Sequence, residues 1–141
     1  MKRLTLAVAM AWGCSPGQSV VATTVSQDDF QESAVTAVIN GALEGEAAGR
    51  ATDTLFTSSA LIVVNGRIRT TTPLFAGIGQ GGQVVISSSQ LQIRPGIGWS
   101  AVDYRWEAAD GVAREGRATF IITQVAPDRW QIQHIHSSSP Q

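Results

Sequence analysis

An α+β fold is what this sequence predicts, and three observations carry it. One apolar stripe at helical spacing stands near the front, at Phe30, Ala34, Val35, Val38, Ile39, Ala42 and Leu43. Asn65-Gly66 then separates two β-branched runs, the strongest two-residue hairpin signal because both positions tolerate positive φ. The last third reads as strands divided by turn residues. Helices grouped ahead of an antiparallel meander build an α+β domain, not a doubly wound one.

Each element has a local reason. Ser26 with Asp29 three residues on is a capping box, and Asp28 and Asp29 place negative charge in the first turn of the helix they open. Gly41, Gly45 and Gly49 blur where that helix stops. A second short helix is expected over residues 48–56. The hairpin follows, residues 61–64 and 67–70 about Asn65-Gly66. Thr72-Pro73 is expected to open a short helix through Leu74 and Phe75. Strands are expected over residues 84–93, 99–108, 113–125 and 130–137, with Asp110-Gly111 and Pro127-Asp128 turning between the last three.

At 141 residues there is room for one ordinary domain. With 43% hydrophobic and 15% charged residues it suits a packed globule rather than a disordered segment. The first stretch is set aside from the fold. Met1-Lys2-Arg3 is a basic start, residues 4–12 are an uncharged apolar run, and Gly13-Cys14-Ser15-Pro16 breaks it. That is the order of a secretory signal, and the run is too short to span a bilayer. Residues 1–25 are therefore read as signal segment and tether, and residues 26–139 as the domain. The chain is expected to be exported, periplasmic or membrane-anchored in a bacterium. Ala11-Trp12-Gly13-Cys14 resembles a bacterial lipobox, which would lipidate Cys14, while cleavage after Ala11 competes with it.

Charge and cysteine content exclude several function classes. Without Lys2 and Arg3 the ten basic residues fall to eight, all arginine, against eleven acidic ones, a net of −3. A domain without lysine has no Schiff-base nucleophile. One without a basic excess is not expected to bind nucleic acid. Cys14 is the single cysteine, so disulfides within the chain and cysteine–zinc sites are out. No metal and no cofactor is expected, since only His134 and His136 offer imidazole ligands and no third ligand stands at a recognisable spacing. Gly77, Gly79 and Gly82 spell G-x-G-x-x-G, but the run leads into a strand instead of a helix, so it is read as a flexible loop.

The closing strand, Trp130-Gln131-Ile132-Gln133-His134-Ile135-His136-Ser137-Ser138, resembles the last strand of SnoaL-like and kinase-association-domain-like members of the nuclear transport factor 2-like superfamily. It is most similar to the association domain of calcium/calmodulin-dependent protein kinase II, where a tryptophan is followed by histidines four and six positions later. Gly116-Arg117-Ala118-Thr119 fits as well. The resemblance implies a cone: a curved antiparallel sheet wrapped around N-terminal helices, with a pocket at the wide end. Such domains include isomerases, cyclases, hydrolases and non-catalytic association domains, so the resemblance does not choose a function.

The candidate site follows from counting registers. His134 and His136 lie two apart and leave one face of a strand. A two-residue turn at Pro127-Asp128 sets Thr119 opposite His136, Ile121 opposite His134 and Thr123 opposite Ile132. The same count across Asp110-Gly111 sets Tyr104 opposite Arg117. Tyr104, Arg117, His134 and His136 are then expected to converge on one ligand-binding cavity, with Trp130 and Ile132 as its apolar wall and Arg117 meeting a carboxylate, carbonyl or anion. A shifted register would instead favour the row Asp103, Arg105 and Glu107.

Known chemistries of the fold fit incompletely. Tyr104 is the single tyrosine and has no acid on its face for isomerase chemistry. The aspartate–arginine–aspartate set of the hydrolases lacks its second acid. The expected function is an exported domain binding a small hydrophobic or carbonyl-containing molecule. The alternatives are an isomerase, cyclase or hydrolase using a pocket histidine, and a non-catalytic association module. A homodimer is expected, because strand 113–125 is apolar on both faces and the helices cover only one.

Overall fold

The computed structural model describes residues 26–140, so the signal, Cys14 and the tether of the sequence reading lie outside the described residues. Helix α1 spans Gln27–Ala47 and opens on the expected capping box, Ser26 accepting from the Asp29 amide and Asp29 from that of Ser26. It stops in a Schellman arrangement. Gly49 takes φ +63°, its N–H donates to the Glu46 carbonyl, and the Arg50 N–H donates to Gly45. The stripe buries Val35, Ile39, Ala42 and Leu43, whereas Phe30, in the first turn, is 52% exposed.

Two expected helices are not formed. Residues 48–56 make only the three-residue 3-10 turn Asp53–Leu55, because the Gly49 reversal ends helical propagation. Thr72-Pro73 opens no helix. Residues 70–82 instead form an irregular strap whose Phe75, Ala76 and Ile78 are buried in the core.

The strands are β1 (Phe56–Val64), β2 (Arg67–Arg69), β3 (Gln83–Arg94), β4 (Ile97–Glu107), β5 (Ala113–Ala126) and β6 (Arg129–Ser138). They form one curved, unclosed sheet in the order β2-β1-β6-β5-β4-β3. The Asn65-Gly66 turn has both φ positive, at 49° and 75°, as a two-residue hairpin requires. Every pairing is antiparallel except β1 with β6, which is parallel. The long route from β1 to β6 through the meander makes that parallel contact possible.

Helix α1 and the strap cover the inner face. Beneath them lie Ile62, Val102, Tyr104, Trp106, Phe120, Ile122, Ile132 and Ile135, all buried. Gly98 of β4 lies beneath α1, where a Cβ would stand 3.7 Å from Val35 Cγ1, in ordinary contact. The outer face has no covering element among the described residues.

Candidate functional site

Turn chemistry decides which side chains share a face. At Pro127-Asp128 the two-residue turn forms, with Ala126 opposite Arg129. Thr119 faces His136 and Ile121 faces His134, as the count requires. Irregularities at Ile121/Ile122 and Gln124/Ala126 intervene, so Thr123 meets Gln131 and not Ile132. The Asp110-Gly111 turn differs by one residue. Ala108 N–H donates to the Val112 carbonyl at 2.8 Å and Gly111 sits at φ +87°. This three-residue loop pairs Glu107 with Ala113 and puts Tyr104 opposite Gly116. A one-residue slip sends every side chain to the other face.

The expected convergence is therefore corrected. Tyr104 points inward and is 1% exposed. Arg117, His134 and His136 lie on the outer face, His134 half-buried and His136 exposed. Trp130 and Ile132 are buried on the inner side, toward the opposite end of β6 from Ser137.

On the outer face Arg117 does meet a carboxylate. Its Nε and Nη2 donate to Asp103 Oδ1 and Oδ2, at 2.5 and 3.1 Å, and Ser88 Oγ donates to Oδ2 at 2.8 Å. The Arg117 hydrogen bonds, then that of Ser88, hold the Asp103 carboxyl below the usual carboxylate range. Arg105 pairs with Glu107 at 2.8 Å. Asp103, Arg105, Glu115, Arg117 and Ser138 border an open groove of about 650 Å³. Beside this charged end, the rest of the face is largely uncharged: Leu61, Ile97, Trp99, Ala101, Thr119 and Ile121, with Leu61 44%, Ile97 47% and Trp99 38% exposed.

Inside the cone a second polar group forms, which the sequence reading missed apart from Tyr104. The Tyr104 hydroxyl donates to the Ala76 carbonyl at 2.6 Å. Ala76 N–H donates to Ser137 Oγ at 3.0 Å, and Leu74 N–H to Glu46 Oε1 at 2.9 Å. Burial pushes the Glu46 carboxyl up, against the opposing pull of the Leu74 hydrogen bond. Burial first, and then the charge of Glu46, push the Tyr104 hydroxyl up, so it remains a donor. Two signals pointed here: Glu46 continues the helical stripe of Ala42 and Leu43, and Ser137 continues the inward alternation of Ile135.

The G-x-G-x-x-G run is a close-packed part of the strap, not the flexible loop expected of it. Gly79 lies against the Trp106 ring, where a Cβ would be 2.7 Å away. Gly77, at φ +79°, would place one 2.8 Å from the Glu115 carbonyl. Trp106 Nε1 donates to the Gly81 carbonyl at 2.6 Å, and Gly81 N–H to that of Ala47. Among the described residues no cluster of three or more potential metal ligands occurs.

No family model and no curated protein matches the chain. Solved structures do. A nuclear transport factor 2-like protein from Cytophaga hutchinsonii superposes at TM-score 0.59 with 11% identity, covering 82% of this chain and 100% of its own. A candidate ketosteroid isomerase from Shewanella frigidimarina gives 0.56 at 16%, covering 79% and 96%. The association domain of the C. elegans kinase CaMKII gives 0.53 at 12%, covering 80% and 95%. The described residues, one α-helix and a curved six-stranded sheet, have the nuclear transport factor 2-like fold.

Proposed function

We propose that this chain is an exported association domain whose outer sheet face packs against a second copy. The observation that carries the reading is the asymmetry of cover. The inner face is buried under α1 and the strap, while the outer face presents Leu61, Ile97 and Trp99 beside the half-buried Val63, Ile121 and His134. Isolated apolar side chains on a surface are ordinary, but exposed Leu61, Ile97 and Trp99 gathered with Val63 and Ile121 on one uncovered sheet face call for a partner.

Area supports a self-contact. Five long strands about 4.8 Å apart, each some ten residues at about 3.3 Å, offer a face on the order of 800 Å², close to what each partner contributes to a standard interface. Polar and charged groups at the β4–β5 turn end form a rim beside the apolar patch, the usual interface anatomy. Neighbours of the same fold include a kinase association domain, which agrees with this reading.

Inside the cone, Glu46, Tyr104 and Ser137 are engaged by the chain's own backbone, which favours a binding or assembly role over catalysis. Export rests on the basic start and apolar run of residues 1–13. The test is Trp99→Glu, which buries a charge in the proposed contact. It is expected to convert a dimer to a folded monomer by size-exclusion chromatography. An unchanged elution volume contradicts the interface.

A further inference from the structure

The chain has two histidines, and the register sets both on the outer face of β6. In the order β2-β1-β6-β5-β4-β3, that strand and β5 are the two in the middle of the sheet. One row across the face runs Leu61, His134, Ile121, Trp99, Gln92, each paired with the next. The row beside it runs Val63, His136, Thr119, Ala101. The half-buried His134 thus sits between two apolar side chains, in one row with the exposed Leu61 and Trp99.

Among the described residues no carboxylate pairs with either imidazole. Strand β1 sets Leu61 and Val63 against them, and β5 sets Ile121 and Thr119. The first charged side chain along β5 from Thr119 on this face is Arg117, opposite Ser138, and it is a cation. Its partner Asp103 stands on β4, one strand further away, and is already engaged by Arg117 and Ser88. Arg105, Glu107 and Glu115 lie beyond that pair, toward the β4–β5 turn. A protonated imidazole here has no counter-charge against it.

We infer that self-association through this face is controlled by protonation of His134 and His136, an inference that rests on the contact proposed above. Neutral imidazoles are buried in the dimer, and acid releases the two chains. A twofold contact uses the same patch on both partners, so one centred on the middle strands covers the histidines of both. Histidine changes charge between about pH 5 and 8, and burying a charge without a partner is strongly disfavoured. The separated chain therefore takes up protons that the dimer excludes. Association is fully present above the histidine range and is lost as the pH falls through it.

Sedimentation equilibrium of the whole chain at about pH 7.5, 6.5 and 5.5 tests it, with circular dichroism reporting the fold at each. The Kd is expected to rise at least about tenfold from the first to the last, since each excluded proton weakens the dimer up to about tenfold per pH unit below the histidine range. In His134→Gln/His136→Gln the ratio of the Kd values at the two ends should fall close to unity, whatever the variant's affinity at the upper pH. A wild-type dimer with one Kd at all three pH values overturns the inference and leaves the interface standing. So does a double variant that weakens as much as wild type, or a chain that loses its fold together with its dimer. A wild type that is monomeric at the upper pH removes the interface and this inference with it. Should the variant not associate at all, the wild-type transition decides. Centred near about pH 6 to 6.5 it belongs to imidazole, and centred below about pH 5 it belongs to carboxylates and overturns the inference.

Discussion

Asp103 faces Arg117 across the β4–β5 pair, and the two side chains join in a bidentate ion pair on the exposed face of the sheet. Their neighbours in sequence, Tyr104 and Gly116, form the next pair and point to the opposite face, where Tyr104 is buried. One hairpin thus separates the charged surface from the buried polar group.

Because the pair is solvent-exposed, removing it should leave the fold alone. Arg117→Ala is expected to leave the urea midpoint nearly unchanged, because exposed ion pairs contribute little to stability. The Asp103 carboxyl should titrate higher in the variant, since the Arg117 hydrogen bonds are what chiefly hold it down. Carboxyl-carbon NMR titration reads both states. An Asp103 titration that does not move upward would show that the ion pair is not formed in solution.

Glu46 should behave in the opposite sense. Burial raises its pKa in the folded protein above the ordinary 4.5, so protonation favours the folded state. The contribution is fully present below about 4.5 and is lost as pH rises through the folded-state value. Glu46→Gln keeps an acceptor for the Leu74 N–H and cannot ionise. It is expected to melt above wild type at pH 7, with the difference shrinking as the pH falls through the raised folded-state value and gone below about 4.5. Equal melting temperatures at pH 7, or a gap that widens in acid, would mean that Glu46 is not penalised by its burial.

Export predicts a processed chain. In its own host the mature protein should begin at Cys14 or Trp12, and a diacylglyceryl adduct on Cys14 would mark the lipoprotein route. Intact-mass spectrometry showing Met1 retained would remove export from the account.

The α+β class was readable because the stripe of α1, the Asn65-Gly66 turn and the four long strands each carry a local period or turn signal. The pairing of His134 with Ile121 and of His136 with Thr119 was readable too, since the Pro127-Asp128 turn has the length it implies. The site was not. Asp110-Gly111 suits both a two-residue and a three-residue loop, and only the closing Ala108–Val112 hydrogen bond distinguishes them. That single residue moved Tyr104 away from Arg117. The strap was misread for a different reason: its conformation is set by partners distant in sequence, Glu46, Tyr104, Trp106 and Ser137, and not by any local pattern. Propensity yields to such tertiary contacts.

The central claim is that the outer face of the sheet is a self-association surface, and sedimentation equilibrium of the wild-type chain tests it most directly. At concentrations in the micromolar range the account predicts a species of about twice the chain mass of 14.9 kDa, with Trp99→Glu sedimenting as a folded monomer under the same conditions. A wild-type chain that remains a single monomeric species at concentrations well above that range would contradict it.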